Sequence, residues 1–248
     1  MKIEGQADSP ASGQHGTRSD RGGAATTSDV FAPDTAPVLE AVDLGGERGG
    51  RPLFRQLRFA LRPGQVVWLR GRNGRGKTSL LRLLAGLSTP ASGAVHCAGI
   101  ALRRADASWR ERLVFIAHAN ALKEDLTVAE SLRFLAQLQG RDCTADELAA
   151  ALARLGVAPL AERPVRTLSQ GQRRRSALAR LALPQPPSVW LLDEPFDALD
   201  DDGVRRLNAL LSEHAARGGS ALLTSHQAVG LIDPVPLQLD LDAHILAA

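Results

Sequence analysis

Tyrosine is absent from the sequence, and cysteine occurs only twice, as Cys97 and Cys143. The two thiols form no CxxC, no metal-ligand spacing and no CxxCH haem-attachment motif, so a cysteine metal site and covalently held haem are both excluded. They read as free thiols of a chain in a reducing compartment. Long apolar runs are missing too. Nothing approaches the roughly 18 consecutive apolar residues that a membrane-spanning helix needs, and the N-terminus lacks the basic start and apolar stretch of a secretory signal. The chain is expected to be soluble, held at a membrane only if another polypeptide holds it there. A charge of one sign is also lacking: 30 Lys and Arg stand against 27 Asp and Glu, for a net +3. A diffuse excess of that size, even with a pI of 9.4, does not suggest a nucleic-acid partner. What remains, 44% apolar and 23% charged residues in 248, suits a soluble globular protein with a sizeable core.

Residues 1–36 are rich in Gly, Ser, Thr, Ala and Asp and nearly devoid of branched aliphatics. Such a segment buries too little apolar surface to offset the entropy of ordering, so a disordered tail is expected, followed by one domain over 37–248. In that domain short apolar runs alternate with helical patterns. Strands are expected at Val38–Val42, Leu57–Leu61, Val66–Arg70, Ala94–Cys97, Leu113–Ala117, Val189–Asp193 and Ala221–Thr224. Helices are expected at Thr78–Leu87, Thr127–Gln139, Ala145–Leu155, Ser169–Leu183 and Gly203–Ala216, and Thr144-Ala-Asp-Glu147 has the form of a capping box. The alternation argues for a layered α/β fold with a largely parallel sheet, and residues 118–168 read as a helical insert.

Between the strand VVWL and the helix LLRLLAGL lies Gly71-Arg72-Asn73-Gly74-Arg75-Gly76-Lys77-Thr78-Ser79. Three glycines let the loop wrap with its amides inward, which together with the positive end of the next helix makes a cradle for di- or triphosphate. Lys77 supplies a charge to the terminal phosphates, and the Thr78 hydroxyl is placed for Mg²⁺. A second signal is VWLLDEP, Val189 to Pro195. Two carboxylates after a buried strand need a partner; Asp193 would hold the metal and Glu194 would polarise the attacking water. A third is Leu168-Ser169-Gln170-Gly171-Gln172 ahead of a basic helix, another anion-binding helix end.

Together with Ala198-Leu199-Asp200 and Thr224-Ser225-His226, these segments resemble the ordered motifs of ATP-binding cassette (ABC) nucleotide-binding domains; Gln170 stands where that family usually has glycine. The resemblance covers roughly Val38 to Leu241. It implies a P-loop fold with a mostly parallel core sheet, an N-terminal antiparallel β portion and a helical insert. It also implies ATP and Mg²⁺ as ligands and a head-to-tail homodimer with two nucleotides at its interface. Each ATP would be clasped by the phosphate loop of one copy and Ser169–Gly171 of the other. Asp200 would communicate across the interface, and His226 would contact the γ-phosphate and Glu194.

Two further positions depart from the pattern. His118, eight residues before Leu126, stands where the family has a glutamine that senses the metal and the attacking water. Imidazole accepts a hydrogen bond there, with a charge that depends on pH. In place of an aromatic that stacks on adenine, the chain has DLGGERGGRP, where Arg48 offers a guanidinium plane. FIAH with ALKEDLT, TLSQGQRRR, LLDEPFDALD and TSHQ is similar to the ATP-binding subunits of haem exporters in bacterial cytochrome c maturation. That implies an ATPase peripheral to the cytoplasmic face of the inner membrane, docked on integral-membrane subunits, with haem not touching this chain. An ATPase for lipids, drugs or metals remains the alternative. A soluble ABC ATPase working on DNA or ribosomes would show a second cassette, heptads or zinc cysteines, and intact Glu194 and His226 argue against a non-hydrolysing subunit.

Along 120–139, Leu126, Val128, Leu132, Leu135 and Leu138 are expected to form a packed stripe, with Lys123, Glu124, Asp125, Glu130 and Arg133 outward. The surface Ala119–Asp125 is where a membrane partner would press. Arg173–Arg175 read as a helix face solvated or paired with local acids.

Overall fold

A computed structural model describes residues 35–102, 111–186 and 188–244. The tail expected at 1–36 therefore lies almost entirely outside the described residues.

Strand β1 (Leu39–Arg48) folds back on β2 (Arg51–Leu61). Gly49 and Gly50 make the turn with φ of 57° and 73°, left-handed at both positions as a two-residue hairpin whose twist matches its strands requires. β4 (Ser92–Cys97) and the short β5 (Ile100–Ala101) complete an antiparallel sheet in the order β2-β1-β4-β5. The second sheet has five strands, all pairings parallel: β6 (Leu113–Ile116), β7 (Val189–Leu192), β8 (Ser220–Thr224), β3 (Val66–Arg70) and β9 (Leu237–Asp240), in that spatial order. β7 and β8 are buried at every residue, as a parallel sheet covered on both faces requires.

Alternation along these strands divides the core into two. Val189, Leu191, Leu222, Val67 and Leu69 face α1 (Lys77–Leu84) and the antiparallel sheet. Trp190, Leu192, Ala221, Leu223 and Val66 face the other helices. These are α2 (Val128–Gln137), α3 (Ala145–Arg154), α4 (Gln170–Leu178) and α5 (Asp201–Ala216). Thr127, Thr144 and Ser169 each close a full capping box, so α2, α3 and α4 start where short-range side-chain bonds set them. From the last turn of α5, His214 stacks on Trp190 with centroids 3.7 Å apart and bonds the Ser188 carbonyl at 2.8 Å.

Several elements differ from the sequence reading. β1 and β2 are longer, because Gly45 and Gly46 stay in the strand; a Cβ on Gly46 would meet the Phe54 ring at 2.5 Å. β9 was not anticipated: only Leu237 and Leu239 turn inward, and two prolines precede it. The helix expected to reach Leu183 ends at Leu178 and tightens into a 3₁₀ turn over Ala179–Ala182, with Leu183 extended ahead of Pro184. Leu138 is 68% exposed rather than packed, since the buried face of α2 runs through Val128, Ser131, Leu132, Leu135 and Ala136. It caps the end of the helix, past that face.

Candidate nucleotide-binding site

Four parallel strands deliver their carboxyl ends to one cleft, where open α/β sheets bind ligands. β3 runs into Gly71–Gly76, β7 into Asp193 and Glu194, β8 into Thr224–His226, and β6 into His118. The cleft holds about 330 Å³ and is lined by Arg48, Leu53, Arg72, Asn73, Gly74, Gly76, Lys77, Thr78, Ser79, His118, Asp193, Glu194, Asp197 and His226. Among the described residues lining it there is no phenylalanine or tryptophan to stack on a base.

The loop is built to hold an anion. Gly76 precedes α1 with φ 100°, and a Cβ there would sit 3.1 Å from Leu53, so only glycine fits this bend. No side chain caps α1 and its first turn carries no acid, leaving the amides of Lys77, Thr78 and Ser79 and the positive helix end to a phosphate. Lys77 Nζ donates to the Gly71 carbonyl at 2.7 Å, curling across the loop. Asp242, just after β9, accepts the Arg72 amide at 3.0 Å and pairs with the Arg72 and Arg75 guanidiniums at 3.6 and 3.7 Å. Those two arginines are thereby drawn towards the last strand.

The carboxylates form one hydrogen-bonded unit. Thr78 Oγ1 donates to Asp193 Oδ2 at 2.8 Å, and Thr224 Oγ1 donates to Asp193 Oδ1 at 3.0 Å. The same Thr224 oxygen accepts the Glu194 amide at 2.7 Å. Glu194 has φ 48°, uncommon for a side-chain-bearing residue, and holds it through these bonds. Burial pushes its carboxyl above the usual range, and nearby Asp197 adds to this; His226 and Lys77 oppose it. His226 donates its amide to Glu194 Oε2 at 3.1 Å and places Nε2 3.5 Å from Oε1. His118, largely exposed, lies 3.7 Å from Asp197.

The donor set at Asp193 and Thr78 is all oxygen, one anionic, which fits Mg²⁺; that ion takes one or two protein oxygens and completes its shell with phosphate and water.

Ser169, Gln170, Gly171, Gln172 and Asp200 do not line this cleft. Ser169 Oγ accepts the Gln172 amide at 3.2 Å while Gln172 Oε1 accepts the Ser169 amide at 3.0 Å, so the hydroxyl proton stays available to donate outward. Gly171 packs so closely on the turn after Glu194 that a Cβ would lie 2.7 Å from the Ala198 carbonyl. Asp200 caps α5 through the Gly203 amide at 2.9 Å and pairs with Arg175. Of the three consecutive arginines, Arg173 and Arg175 meet local acids, Glu124 in one case and Asp200 and Asp202 in the other. Arg174 is neither solvated nor paired that way; it is 3% exposed.

Comparison with known proteins agrees with this geometry. The family pattern described as ABC transporter matches residues 54–197. The chain belongs to the ABC transporter ATP-binding family. Among its relatives is the cytochrome c biogenesis ATP-binding export protein CcmA of Cupriavidus pinatubonensis, 47% identical over 191 residues, covering 77% of this chain and 84% of that one. The protein of the same name from Pseudomonas aeruginosa is 45% identical over 194 residues, 78% and 95% of the two chains. Among solved structures, the ATP-binding subunit of an ABC transporter superposes with a TM-score of 0.68 at 26% identity over 76% of this chain and 79% of that one. An ABC transporter ATP-binding protein from Pyrococcus furiosus shares the fold, with a TM-score of 0.71 at 24% identity over 83% and 98%. Membership of this family makes the chain an ATP-binding protein.

From the sequence, Thr224, Asp197 and Asp242 were given no role of their own, and Arg174 was read only as part of the solvated or paired Arg173–Arg175 face. Thr224 stood in the quoted TSH segment, where a hydroxyl after a buried strand was a signal to follow. The other three carried none that was local.

Proposed function

We propose that this chain is the ATP-hydrolysing subunit that powers haem export for c-type cytochrome assembly. It would act as a homodimer on integral-membrane subunits at the cytoplasmic face of a bacterial inner membrane, with 37–248 as its nucleotide-binding domain. The observation that carries the ATPase half is Glu194, desolvated and held beside His226, one residue from an Asp193 that shares a hydrogen bond with Thr78. The shared name of the relatives supports the haem half. Consistent with a peripheral subunit, no helix among the described residues is long and apolar enough to cross a membrane.

In this reading the loop amides from Gly71 to Ser79 and Lys77 bind the β- and γ-phosphates, and Arg48 and Leu53 receive the base. Thr78 and Asp193 hold Mg²⁺, which when bound neutralises charge on the phosphate oxygens. Glu194, its basicity raised by burial, accepts a proton from the water that attacks the γ-phosphorus, and His226 steadies the carboxylate. His118 senses the γ-phosphate from the far wall. Ser169, with its proton available, and the amides of Gln170 and Gly171 close the second copy's site, with Gln172 fixing Ser169 through the capping box, while Asp200 carries the signal between copies. The haem path lies in the other subunits.

The test is covalent haem in a periplasmic c-type cytochrome, in cells whose own export ATPase is deleted and replaced by this chain. The parent should restore haem-stained cytochrome, and Glu194→Gln and Lys77→Ala, at equal protein level, should not. Full restoration by Glu194→Gln would contradict the proposed coupling to hydrolysis.

A further inference from the structure

The least accessible cation near the site is one that none of the assigned roles uses. Arg174 lies on the first turns of α4 and is 3% exposed. Its guanidinium gathers two chain segments, 193–195 and 117–120. Nη2 donates to the Asp193 carbonyl at 2.9 Å and to the Glu194 carbonyl at 2.7 Å, and Nε reaches the Pro195 carbonyl at 3.4 Å. Nη1 donates to the Ala117 carbonyl at 3.1 Å and to Asn120 Oδ1 at 3.0 Å. One planar group thus binds the main chain on both sides of Glu194, and on the two sides of His118 a main-chain carbonyl and the Asn120 side chain.

Burial alone disfavours such a charge, and Asp197, Asp193 and Glu194 offset this at longer range without a direct ion pair. What the arrangement supplies is geometry. A guanidinium is a rigid fork whose donors hold fixed angles, so it transmits a displacement of one acceptor to the others; an ammonium on a flexible stem does not. The Glu194 peptide it holds is the one with φ 48°, a conformation that persists only when its surroundings over-determine it. On the other side, Asn120 belongs to a loop whose neighbours Ala119, Ala121 and Lys123 are exposed.

We propose that Arg174 is a positioning residue that ties the His118–Asn120 loop to the peptide of Glu194, so that pressure on that exposed loop sets the catalytic carboxylate. This rests on the reading of Glu194 as the base. Arg174 touches no substrate and acts only through the two loops.

The test is a double-mutant cycle in the full chain, with turnover and MgATP affinity measured for each variant. Asn120→Ala removes one side-chain bond from an accessible loop and should lower kcat about threefold to tenfold, with Kd for MgATP within about twofold of the parent. Arg174→Gln should lower kcat by about tenfold or more, again with little change in Kd. The double variant should be no slower than Arg174→Gln alone, because the bond from Asn120 is already gone. If Arg174→Gln does not fold, Arg174→Lys, which keeps the charge but not the fork, takes its place in the cycle. Parent-level kcat in Asn120→Ala, or multiplicative losses in the double variant, would overturn the coupling. Glu194→Gln run alongside separates the two readings. If it turns over at the parent rate, the base assignment fails; if it is inactive while the Arg174 and Asn120 variants are unimpaired, only the positioning role fails.

Discussion

Replacing Thr224 by valine tests the hydrogen-bonded unit at the centre of the site. The residue is fully buried, and its hydroxyl both donates to Asp193 and accepts from the Glu194 amide. Valine keeps the volume and removes both bonds. Each orphaned buried group costs about 1–3 kcal/mol, and Asp193 keeps its bond from Thr78, so a loss of about 2–4 kcal/mol is expected. Against a total of about 5–15 kcal/mol the variant should still fold. With a urea m-value of about 2–3 kcal/mol/M, the midpoint should fall by about 1–2 M. Intrinsic fluorescence reports this, since Trp68 donates its indole N–H to the Ser225 carbonyl, one residue beyond the substitution. The same change frees the Glu194 peptide, so kcat should fall at least about tenfold while Kd for MgATP, set by Lys77 and the loop amides, stays within about twofold. Thr224→Ser should recover most of both. A midpoint unchanged in Thr224→Val, or parent-level turnover, would refute the reasoning.

His214, stacked under Trp190, has its pKa pushed down to about 4 by burial. A depressed histidine pKa means the unfolded chain binds the extra proton first. Stability contributed by the neutral ring is therefore whole above about pH 6.5 and is lost as the pH falls towards 4, by about 3 kcal/mol in all. Urea midpoints between pH 7 and 4.5 should show that slope in the parent and not in His214→Gln. Gly171→Ala places a methyl against the Ala198 carbonyl; overpacking of about 1–3 kcal/mol should outweigh a helix-propensity gain of about 1 kcal/mol, and a more stable variant would contradict the close packing. Burial raises the Glu194 carboxyl, so the acid limb of the kcat profile should lie above an ordinary carboxylate's, and His226→Ala, which removes an opposing influence, should move it higher still.

The phosphate loop and the acidic turn after β7 were legible in the sequence because each is a contiguous run whose residue types have one joint use. Four strands of the parallel sheet were legible because each is a nearly continuous apolar run. Asp242 was not, since its hold on the Arg72 amide spans a sequence separation of 170 and depends on β9, too short and too polar on one side to stand out. Arg174 was misjudged with its neighbours: three adjacent arginines give no local sign of which one turns inwards, and only the pairing of β6 with β7 brings the carbonyls that receive it together. The Gly49-Gly50 turn carried a hairpin signal that Gly45 and Gly46 obscured. Leu138 suited the helical period and failed because α2 stops one residue short of it.

The most direct measurement is a calorimetric titration of the folded full chain with ATP in the presence of Mg²⁺. Saturable heat should appear for the parent and for Glu194→Gln and be lost or greatly weakened in Lys77→Ala. A flat titration of folded parent protein, or undiminished binding by Lys77→Ala, would contradict the assignment of Gly71–Ser79 as the cradle of the triphosphate.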